Sequence, residues 1–411
     1  MNFEKEFGIR RITSFKTVIA SEMKRLEVTP QGVSIMLGKT GAIVYKLCGI
    51  SWQAALIIKQ EMLSAGGDAA IPKRIYYKKP AGGRYDILVF GLENQLVKFA
   101  DKLLSQEVYS LNGIGEALKN LLTGNTGLTD NPFAKGRTAV MGILNVTPDS
   151  FYDGGRYFDA GSAAERAFQI EEEGADLIDI GGASSRPGSR AVPEKTEFSR
   201  VLGVLKKISG RIRIPISVDT YRLRVGRCAC DHGAAVINDI TGFKSSPGLL
   251  DLVIKNKMYG VIMHMRGTPG TMQKKTAYKS IVDEVYGFLQ ARIDETVKKG
   301  MEKNRIIADP GIGFGKSPAG SIELLSRFSE FRSLGVRLLA GASRKSFIGE
   351  VLGLPPEGRL EGSLAALAAA IQGGADIVRV HDVKESVRFC RMLETLLPGK
   401  QNPLITGGEV I

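Results

Sequence analysis

The sequence contains few of the residues that cross-link small secreted domains or bind structural metals. Its 411 residues include four cysteines, Cys48, Cys228, Cys230 and Cys390. Cys228 and Cys230 form C-x-C rather than the C-x-x-C of redox and zinc sites, and nothing in the sequence supplies a second ligand pair. We therefore expect buried thiols, and neither a disulfide framework nor a zinc site.

Histidine is scarcer still, with three residues, His232, His264 and His381. These histidines fall in different predicted elements and lack the spacing of metal ligands, and His232 is expected in a helix far from any strand end. This distribution argues against a histidine-bound zinc ion.

Long apolar runs are also absent. No segment approaches the roughly 18 apolar residues that a membrane-spanning helix needs. The charged residues 1–7 contain no apolar core of signal-peptide length. We expect a cytoplasmic protein that does not enter a membrane.

Acidic residues are outnumbered, since 56 Lys and Arg against 43 Asp and Glu give a formal net charge of +13. The basic residues are scattered among acidic ones, with no long basic run and no interleaved aromatics, so we expect no nucleic-acid partner. A basic surface also steers small anionic substrates toward a protein. We expect partners of that kind.

A change in composition divides the chain. Residues 121–136 are rich in Gly, Asn, Thr, Asp and Pro, which is typical of a linker or domain edge. The predicted domains are a small α/β domain over 1–125, a linker over 126–136, a catalytic barrel over 137–398 and a C-terminal tail over 399–411. The first domain is predicted to contain strands at 32–36, 43–47 and 85–90 and helices at 53–64 and 92–104.

Beyond the linker, eight strand-length apolar runs alternate with helical patterns. The predicted strands are 139–146, 175–181, 214–219, 235–240, 260–265, 305–308, 337–341 and 376–380. The predicted helices include 162–173, 194–208, 280–299, 319–331, 362–372 and 384–397. Eight strands, each followed by a helix, over about 260 residues are typical of a (β/α)8 TIM barrel. The count favours this barrel over a doubly wound open sheet.

Polar residues lie where each predicted strand finishes. They are Asn145, Asp179, Asp219, Asn238 with Asp239, His264, Asp309, Ser343 to Ser346, and Arg379 to Asp382. A single residue of this kind often caps the following helix. Eight in succession favour a ligand site, because active sites of parallel α/β barrels form at the carboxyl ends of the strands.

The chemistry of these residues indicates a pocket with one acidic and one cationic end. Asp219, Asn238 and Asp309 are acceptors suited to a ligand rich in N–H donors, such as a fused aminopyrimidine ring. Lys345 and Ser346, at a strand-to-helix turn, offer an ammonium and a hydroxyl to an anion. The cationic group expected for phosphate oxygens consists of Arg186, Arg379 and His381.

One glycine-rich segment resembles a phosphate loop without matching it. Residues 311–317 read G-I-G-F-G-K-S, and the Walker spacing fails by one residue. We interpret this segment as a flexible turn after Asp309, with glycines that allow close approach of the ligand.

Taken together, the motifs resemble those of the dihydropteroate synthases, folate-pathway enzymes that join a pterin to p-aminobenzoate. The resemblance covers roughly residues 138–397. The motifs are L-N-V-T-P-D-S-F (144–151), D-I-G-G (179–182), S-R-P-G (185–188), S-V-D-T (217–220), I-N-D-I (237–240), M-H-M-R-G-T-P-x-T-M-Q (263–273), D-P-G-I-G-F-G-K (309–316), S-R-K-S (343–346), G-S-L-A (362–365) and R-V-H-D-V (379–383).

The resemblance implies a role for individual residues. The implied pterin-binding residues are Asp219, Asn238, Asp309, Met265, Lys345 and Arg379. The implied pyrophosphate-binding residues are Asn145, Ser185, Arg186, Arg379 and His381, and the implied p-aminobenzoate-binding residues are Ser346, Arg186, Pro187 and Phe151. The residues implied in catalysis are Lys345, Arg379, His381 and Asp219.

The resemblance also implies that Asn145 helps to hold Mg²⁺, that loops 147–155 and 183–189 close over the site, and that the barrel pairs as a homodimer. One departure is that the usual G-G-E-S-T-R-P-G reads G-G-A-S-S-R-P-G at 181–188, with Ala183 and Ser185. We expect activity with altered loop closure and rate. The other departure is the N-terminal domain, for which no motif identifies a role.

The sequence motifs also bear on three other functions. A pterin-binding methyltransferase would not need the S-R-K-S and T-P-D-S-F motifs. A Schiff-base aldolase would need Lys345 desolvated at the inner end of its strand, whereas Lys345 follows Arg344 in a polar turn. A pterin-binding barrel without catalysis is favoured by Ala183 alone.

Overall fold

A computed structural model describes residues 29–77, 83–123, 131–147, 160–183 and 192–397, and three single positions, Ile19, Ala20 and Met23. The chain divides into two compact units, Met1–Thr126 and Gly127–Ile411. Within the described ranges, none of the helices combines the length and the apolar character that a bilayer span requires. The domain boundaries given above stay predictions.

The first unit contains a three-stranded antiparallel sheet with strand order β1-β3-β2. Its described elements are α1 (Pro30–Leu37), β1 (Ala42–Ser51), α2 (Trp52–Ser64), β2 (Asp68–Ala70), α3 (Arg74–Tyr77), β3 (Arg84–Leu92), α4 (Glu93–Leu104) and α5 (Leu111–Leu122). In α4 the buried residues Leu96, Phe99, Ala100 and Leu103 follow the helical period. They join the core of this unit.

The predicted strand at residues 32–36 is wrong, because this segment is part of helix α1. Thr29 provides the N-cap, with its hydroxyl accepting a hydrogen bond from the Gly32 N–H at 3.2 Å. Pro30 is the first helical residue, where its missing N–H costs nothing. The capping residue and the proline favour a helix, although the short apolar run by itself predicts a strand. Helix α5 was not predicted.

The second unit is a closed barrel of eight parallel strands in the order β10-β11-β4-β5-β6-β7-β8-β9. The strands are β4 (Ala139–Asn145), β5 (Leu177–Gly181), β6 (Ile216–Asp219), β7 (Val236–Asp239), β8 (Tyr259–Met263), β9 (Ile306–Asp309), β10 (Arg337–Ala340) and β11 (Ile377–Val380). The predicted TIM barrel is confirmed, and the closure excludes the open sheet.

Helices connect the strands around the outside. They are α6 (Ala160–Glu172), α7 (Glu194–Ile208), α8 (Leu223–Asp231), α9 (Pro247–Lys255), α10 (Ile281–Lys298), α11 (Pro318–Ser326), α12 (Ser346–Leu352), α13 (Leu360–Gln372) and α14 (Val383–Leu396). The single helix predicted over 319–331 is wrong, since α11 ends at Ser326 and a 3-10 helix, Phe328–Leu334, follows. His232 lies just after α8, with its Nδ1 2.8 Å from the Cys228 carbonyl.

The inner face of the barrel changes character along the strands. Near the amino ends, inward residues form an apolar cluster that includes Leu177, Ile307 and Ile377. Side chains alternate along a strand, so the next inward position is two residues further on. There the same three strands carry Asp179, Asp309 and Arg379.

The amino end of the barrel is closed by residues that precede β4. Ala134 is 5% exposed and belongs to the inner apolar cluster, and the Phe133 ring packs edge-on 5.1 Å from the ring of Tyr259. Asn131 Nδ2 donates a hydrogen bond to the Asp376 carbonyl at 2.8 Å. Residues 131–134, although their composition is that of a linker, therefore pack as part of the barrel.

The expectation of buried thiols holds for Cys228 and Cys390, while Cys230 is half-buried. It is wrong for Cys48, which is exposed on β1, where alternate residues of the strand point away from the core.

Candidate active site

Strand register brings three polar residues and one glycine, near the ends of four strands, into one row. Asn145 is level with Gly181, Gly181 with Asp219, and Asp219 with Asn238 on four successive strands. Gly181 leaves space at the centre of this row, because a Cβ there would lie 3.4 Å from Asn145 Oδ1 and 3.8 Å from the Asp219 Cβ. The amide oxygen of Asn145 and the Cβ of Asp219 therefore border the same gap.

Asp179 is the centre of a buried hydrogen-bond network inside the barrel. It is fully buried in the middle of β5 rather than at the strand end. Its carboxylate accepts hydrogen bonds from Ser217 Oγ at 2.6 Å, Asn238 Nδ2 at 3.1 Å and Arg379 Nε at 2.7 Å. This network orients Asn238 and Arg379 toward the carboxyl end of the barrel.

Asp219 is held next to that network. Arg379 Nη2 lies 3.3 Å from Asp219 Oδ2, so one guanidinium bridges Asp179 and Asp219. Burial raises the pKa of Asp219 to about 7, and the negative charge of Asp179 raises it further against the opposing effect of Arg379. The carboxyl of Asp219 is therefore harder to ionise than that of an exposed aspartate.

Asp309 and Lys345 interact electrostatically in the pocket. Asp309 is 6% exposed, and its Oδ1 accepts a hydrogen bond from the Gly311 N–H at 2.7 Å. Burial raises its pKa, although Lys345 opposes this shift. Burial also lowers the pKa of Lys345 to about 8, with Asp309 and Asp219 acting in the other direction. Lys345 is therefore more desolvated than a polar turn led us to expect.

The ammonium of Lys345 lies over an aromatic ring. Its Nζ is 3.8 Å from the centroid of the Phe314 ring, a cation–π contact. Phe314 in turn packs with Ile240, Met263 and Met272, and Met265 packs against this cluster. The pocket thus has an apolar wall suited to a flat ring beside its charged groups.

His381 follows β11 and is bonded to the neighbouring loop. Its Nδ1 lies 3.1 Å from Ser343 Oγ, and its backbone N–H donates to the same oxygen at 3.2 Å. Burial, aided by Arg379 and Arg344, lowers the pKa of His381 to about 3. The imidazole is therefore neutral at physiological pH and adds no positive charge to the cationic group that we expected.

Arg344 ties the loops after β10 and β11 together. Its Nε and Nη2 donate to the two carboxylate oxygens of Asp382 at 2.9 and 2.5 Å. Its backbone has a φ of 55° and is held by a hydrogen bond to Ser363 Oγ at 2.9 Å. These contacts hold the residue directly before Lys345.

Asp239 has a structural role, because its carboxylate bonds to the backbone that directly follows its own strand. It is fully buried, and it accepts hydrogen bonds from the backbone N–H groups of Thr241 at 2.7 Å and Phe243 at 3.0 Å. Burial nevertheless raises its pKa to about 6. Asp239 shapes the turn after β7 rather than facing the ligand.

Beside Asp219 lies a cavity of about 550 Å³, which Ala183, Glu197 and Ile240 also line. Glu197 is 1% exposed, accepts a hydrogen bond from Thr220 Oγ1 at 2.6 Å and lies 3.1 Å from Arg222 Nη1. A buried carboxylate thus remains in this part of the site even though position 183 is an alanine.

Four of the predicted site residues, Phe151, Ser185, Arg186 and Pro187, lie outside the described residues. Among the rest, the electrostatic interactions join Asp219, Asp309, Lys345 and Arg379 at one pocket. Ser346 is the first residue of α12 and is exposed. Met265 is half-buried at the apolar wall.

Several residues of the site were not assigned a role from sequence. They are Ser217, Glu197, Phe314, Lys316 and, as a central acceptor rather than a strand end, Asp179. A signal existed for four of them, because Asp179, Ser217, Phe314 and Lys316 fall within the D-I-G-G, S-V-D-T and D-P-G-I-G-F-G-K motifs. Nothing local distinguishes Glu197 from the exposed acids of its helix.

Comparison with known proteins agrees with this geometry. A family model described as pterin binding enzyme matches residues 141–381. The dihydropteroate synthase of Synechocystis sp. is 43% identical over 261 residues, 63% of this chain and 90% of that protein. A solved dihydropteroate synthase of Xanthomonas albilineans with 4-aminobenzoic acid is 43% identical, with a TM-score of 0.60 over 63% of this chain and 93% of that chain.

A third relative extends beyond the barrel. The probable bifunctional folylpolyglutamate synthase/dihydropteroate synthase of Halobacterium salinarum is 39% identical over 383 residues, 92% of this chain and 46% of that protein. This match is longer than the unit Gly127–Ile411 and therefore includes part of the first unit.

A closed barrel with buried acceptors at the carboxyl ends of its strands, together with the family match, defines the class: the chain belongs to the family of pterin-binding enzymes. Within that family, the enzymes that it matches over about nine tenths of their length are dihydropteroate synthases, which are transferases. The resemblance drawn from the motifs is confirmed.

Proposed function

We propose that the barrel catalyses the dihydropteroate synthase reaction. In this reaction 6-hydroxymethyl-7,8-dihydropterin pyrophosphate and p-aminobenzoate give 7,8-dihydropteroate and pyrophosphate. The observation that carries the proposal is the convergence of buried acceptors, Asp219 and Asp309, with the cationic groups of Lys345 and Arg379 at the carboxyl end of one barrel.

The pterin lies against the apolar wall, with its N–H groups toward the carboxylates. Asp219, Asn238 and Asp309 accept these hydrogen bonds, and bonds to a charged acceptor contribute roughly 1.5–3 kcal/mol each. Arg379 is held more closely by Asp179, at 2.7 Å, than by Asp219, at 3.3 Å. Pterin binding therefore displaces the Asp219 contact and leaves Arg379 anchored over the ring.

The pyrophosphate lies at the cationic side of the pocket. Arg379 supplies positive charge, and neutral His381 supplies a hydrogen bond through Nε2, because its Nδ1 faces Ser343 Oγ. Asn145 contributes its amide from the end of β4. Ser185 and Arg186 are proposed, from the sequence alone, to complete the group that binds the pyrophosphate.

Mg²⁺ is the proposed cofactor. Among the described residues no group of three or more His, Cys, Asp or Glu is arranged to hold a metal. The amide oxygen of Asn145, beside Gly181, suits a hard cation that takes most of its ligands from phosphate and water. When bound, Mg²⁺ supplies charge neutralisation to the departing pyrophosphate.

p-Aminobenzoate binds next to the pyrophosphate. Ser346, exposed at the start of α12, receives its carboxylate, and the neighbouring Lys345 adds positive charge. Phe151, Arg186 and Pro187 are proposed to line the other side, from the loops predicted to close over the site.

The reaction is largely dissociative. The bond between the pterin methylene carbon and oxygen breaks, and the electron pair leaves with pyrophosphate. The carboxylates of Asp219 and Asp309 stabilise the cation that develops on the ring. The neutral aniline nitrogen then forms the new bond to the methylene carbon and loses a proton to pyrophosphate or water. Loops 147–155 and 183–189 are proposed to keep water away from the cation.

Two further parts of the proposal concern the whole protein. We propose a homodimer in the cytoplasm, as the family resemblance and the composition predict. Gel filtration with light scattering tests the first point, and a monomeric mass at micromolar concentration would contradict it.

The test of function is a turnover assay of the full chain with both substrates and Mg²⁺, measuring dihydropteroate and pyrophosphate. Equal amounts of both products support the proposal and show that Ala183 is tolerated. Pyrophosphate alone would show that the second substrate is not held. Neither product, with the pterin still bound, would identify a non-catalytic barrel, and methyl transfer from a folate to a corrinoid would identify a methyltransferase.

A lysine exchange sharpens this test. Lys345→Met is expected to lower kcat by at least about 100-fold, the scale of a lost preorganised charge. Lys255→Met, in the last turn of α9, serves as the control with unchanged kinetics, because Lys255 is exposed. Equal rates for the two variants would remove Lys345 from the site.

A further inference from the structure

Lys316 is a buried lysine to which the proposed mechanism gives no role. It is 3% exposed, and its Nζ lies 2.9 Å from His264 Nδ1, 3.2 Å from the His264 carbonyl and 3.0 Å from the Phe314 carbonyl. Three acceptors correspond to the three protons of an ammonium group. Lys316 therefore connects the end of the glycine-rich segment to the residue that follows β8.

The glycine-rich segment lies directly on the chain after β8. Gly311 has a φ of +68°, and a Cβ there would lie 2.0 Å from the His264 carbonyl oxygen. Gly315 has a φ of +63°, and a Cβ there would lie 2.6 Å from the Arg266 carbonyl oxygen. Only glycine allows both the conformation and this approach. The segment between Asp309 and Lys316 is thus held at both ends.

Two parts of the pterin pocket depend on this segment. At its start, Asp309 accepts a hydrogen bond from the Gly311 N–H at 2.7 Å. Near its end, the Phe314 ring lies 3.8 Å below Lys345 Nζ, and the Phe314 carbonyl is the group that Lys316 holds. A shift of the segment would move the aromatic wall and the carboxylate together.

We propose that Lys316 and His264 are positioning residues, which hold segment 309–316 in the shape that binds the pterin substrate and do not act on p-aminobenzoate. This inference rests on the proposed function of the pocket. It predicts a selective loss of affinity for the first substrate when the contact is removed.

The protonation of the pair is consistent with this role. Burial lowers the pKa of His264 to about 2, so the imidazole is neutral and its Nδ1 can accept a hydrogen bond. Burial lowers the pKa of Lys316 to about 7, while Asp309 acts to raise it and Lys345 and Arg266 to lower it. Phe288 packs edge-on against His264, with their ring centroids 4.8 Å apart, and this contact keeps the imidazole in place.

The experiment compares variants that keep or remove the acceptor and the donor. His264→Asn retains an oxygen near the position of Nδ1, and His264→Leu does not. Lys316→Met removes the donor, and Lys255→Met is the surface control. The readouts are the Kd of 6-hydroxymethyl-7,8-dihydropterin by calorimetry, the KM of each substrate and kcat, with thermal unfolding to verify folding.

We expect Lys316→Met and His264→Leu to raise the Kd and KM for the pterin at least tenfold, with the KM for p-aminobenzoate within twofold. His264→Asn is expected to stay within about threefold. In Lys316→Ala, added propylammonium should restore pterin binding in part. If Lys316→Met does not fold, the two His264 variants decide.

A lowered melting temperature with an unchanged pterin Kd would overturn the inference, because it would show a purely structural role. An equal rise in both KM values would overturn it as well. If the unaltered protein binds the pterin but forms no product, the proposed function fails while the Kd comparison still decides the inference. If the unaltered protein binds no pterin, both are overturned.

Discussion

The two ends of the barrel are built on the same strands and differ in almost every other respect. At the amino end, Ile307 and Ile377 belong to an apolar cluster and are fully buried. Two residues further along the same strands, Asp309 and Arg379 point into the same interior and face a ligand pocket. One step of the strand period therefore separates a layer that stabilises the fold from a layer that performs chemistry.

The polar layer is tolerated because its members bond to one another. Asp179 is fully buried yet has three hydrogen-bond donors, from Ser217, Asn238 and Arg379. A buried charge without such partners is strongly destabilising. Removal of one partner is therefore costly, because it leaves the other charge buried and uncompensated. Binding groups can therefore be held ready in the barrel only as a connected set.

The largest expected effect comes from exchanging one residue in each layer of β9. Asp309→Asn should lower kcat/KM at least about 100-fold, because two charge-assisted bonds to the pterin are lost at roughly 1.5–3 kcal/mol each. Ile307→Val should cost about 0.5–1.5 kcal/mol of stability and leave kcat unchanged. Steady-state kinetics and urea unfolding of both variants check the pair.

The comparison between layers would fail if the two variants had the same profile. Loss of activity in an Ile307→Val protein that is fully folded would show that the apolar layer also positions the ligand. Normal activity in Asp309→Asn would remove this carboxylate from the pterin site.

A smaller effect is expected in the pH dependence of pterin binding by the polar layer. The pKa of Asp219 is raised to about 7, so below that pH the carboxyl keeps its proton and no longer offers the pterin two charged acceptor oxygens. Affinity should be full above pH 7 and fall by up to about tenfold per pH unit below it. Calorimetry with 6-hydroxymethyl-7,8-dihydropterin from pH 5.5 to 8.5 measures this dependence.

Asp219→Asn is the matched control for this titration. Asparagine keeps the shape of the side chain and does not ionise, so its affinity should lack the change near pH 7. The same midpoint in both proteins would assign the titration to the ligand or to another group.

The smallest expected effect is on the stability of the apolar layer at the amino end of the barrel, which residues 131–134 cover. Removal of residues 1–126 should leave a folded barrel, because its apolar clusters consist of residues after position 132. Removal of residues 1–134 also takes away Phe133, Ala134 and the bond from Asn131 to the Asp376 carbonyl. We expect its melting temperature to be lower by about 5 °C or more, the shift produced by roughly 2 kcal/mol in a domain of this size.

Calorimetric melting of the two truncated proteins checks this expectation. Equal melting temperatures would show that residues 127–134 contribute nothing to the barrel. Aggregation of both would show that the first unit belongs to the same folding unit.

Much of the barrel was predictable, because each strand is a short apolar run with a helix-period pattern after it. The predicted strand 214–219 and helix 194–208 are examples, with observed bounds Ile216–Asp219 and Glu194–Ile208. Residues 32–36 were mispredicted because five residues are too short to distinguish the two periods, and the decisive cap at Thr29 lies outside them. The Arg327 turn that divides the predicted helix 319–331 has no local breaker.

The site was predictable where residues carry their chemistry in a motif. Asp219, Asn238 and Asp309 were found in this way. The protonation of His381 was not, because its neutral state results from burial beside Arg379 and Arg344 rather than from adjacent residues in the chain. Lys316 was treated as part of a flexible turn, and its bonds to His264 become visible only when segments 52 residues apart are in contact.

The sequence by itself determined the alternation of strands and helices, the barrel class and the residue types at the strand ends, because these depend on local period and composition. Only the tertiary structure decided which of those residues meet. Arg379 reaches Asp179 across 200 residues of chain because barrel closure brings β11 next to β4 and β4 next to β5 in a specific register. Charge state, partners and pocket shape follow from that closure, since burial and proximity are properties of the assembled barrel.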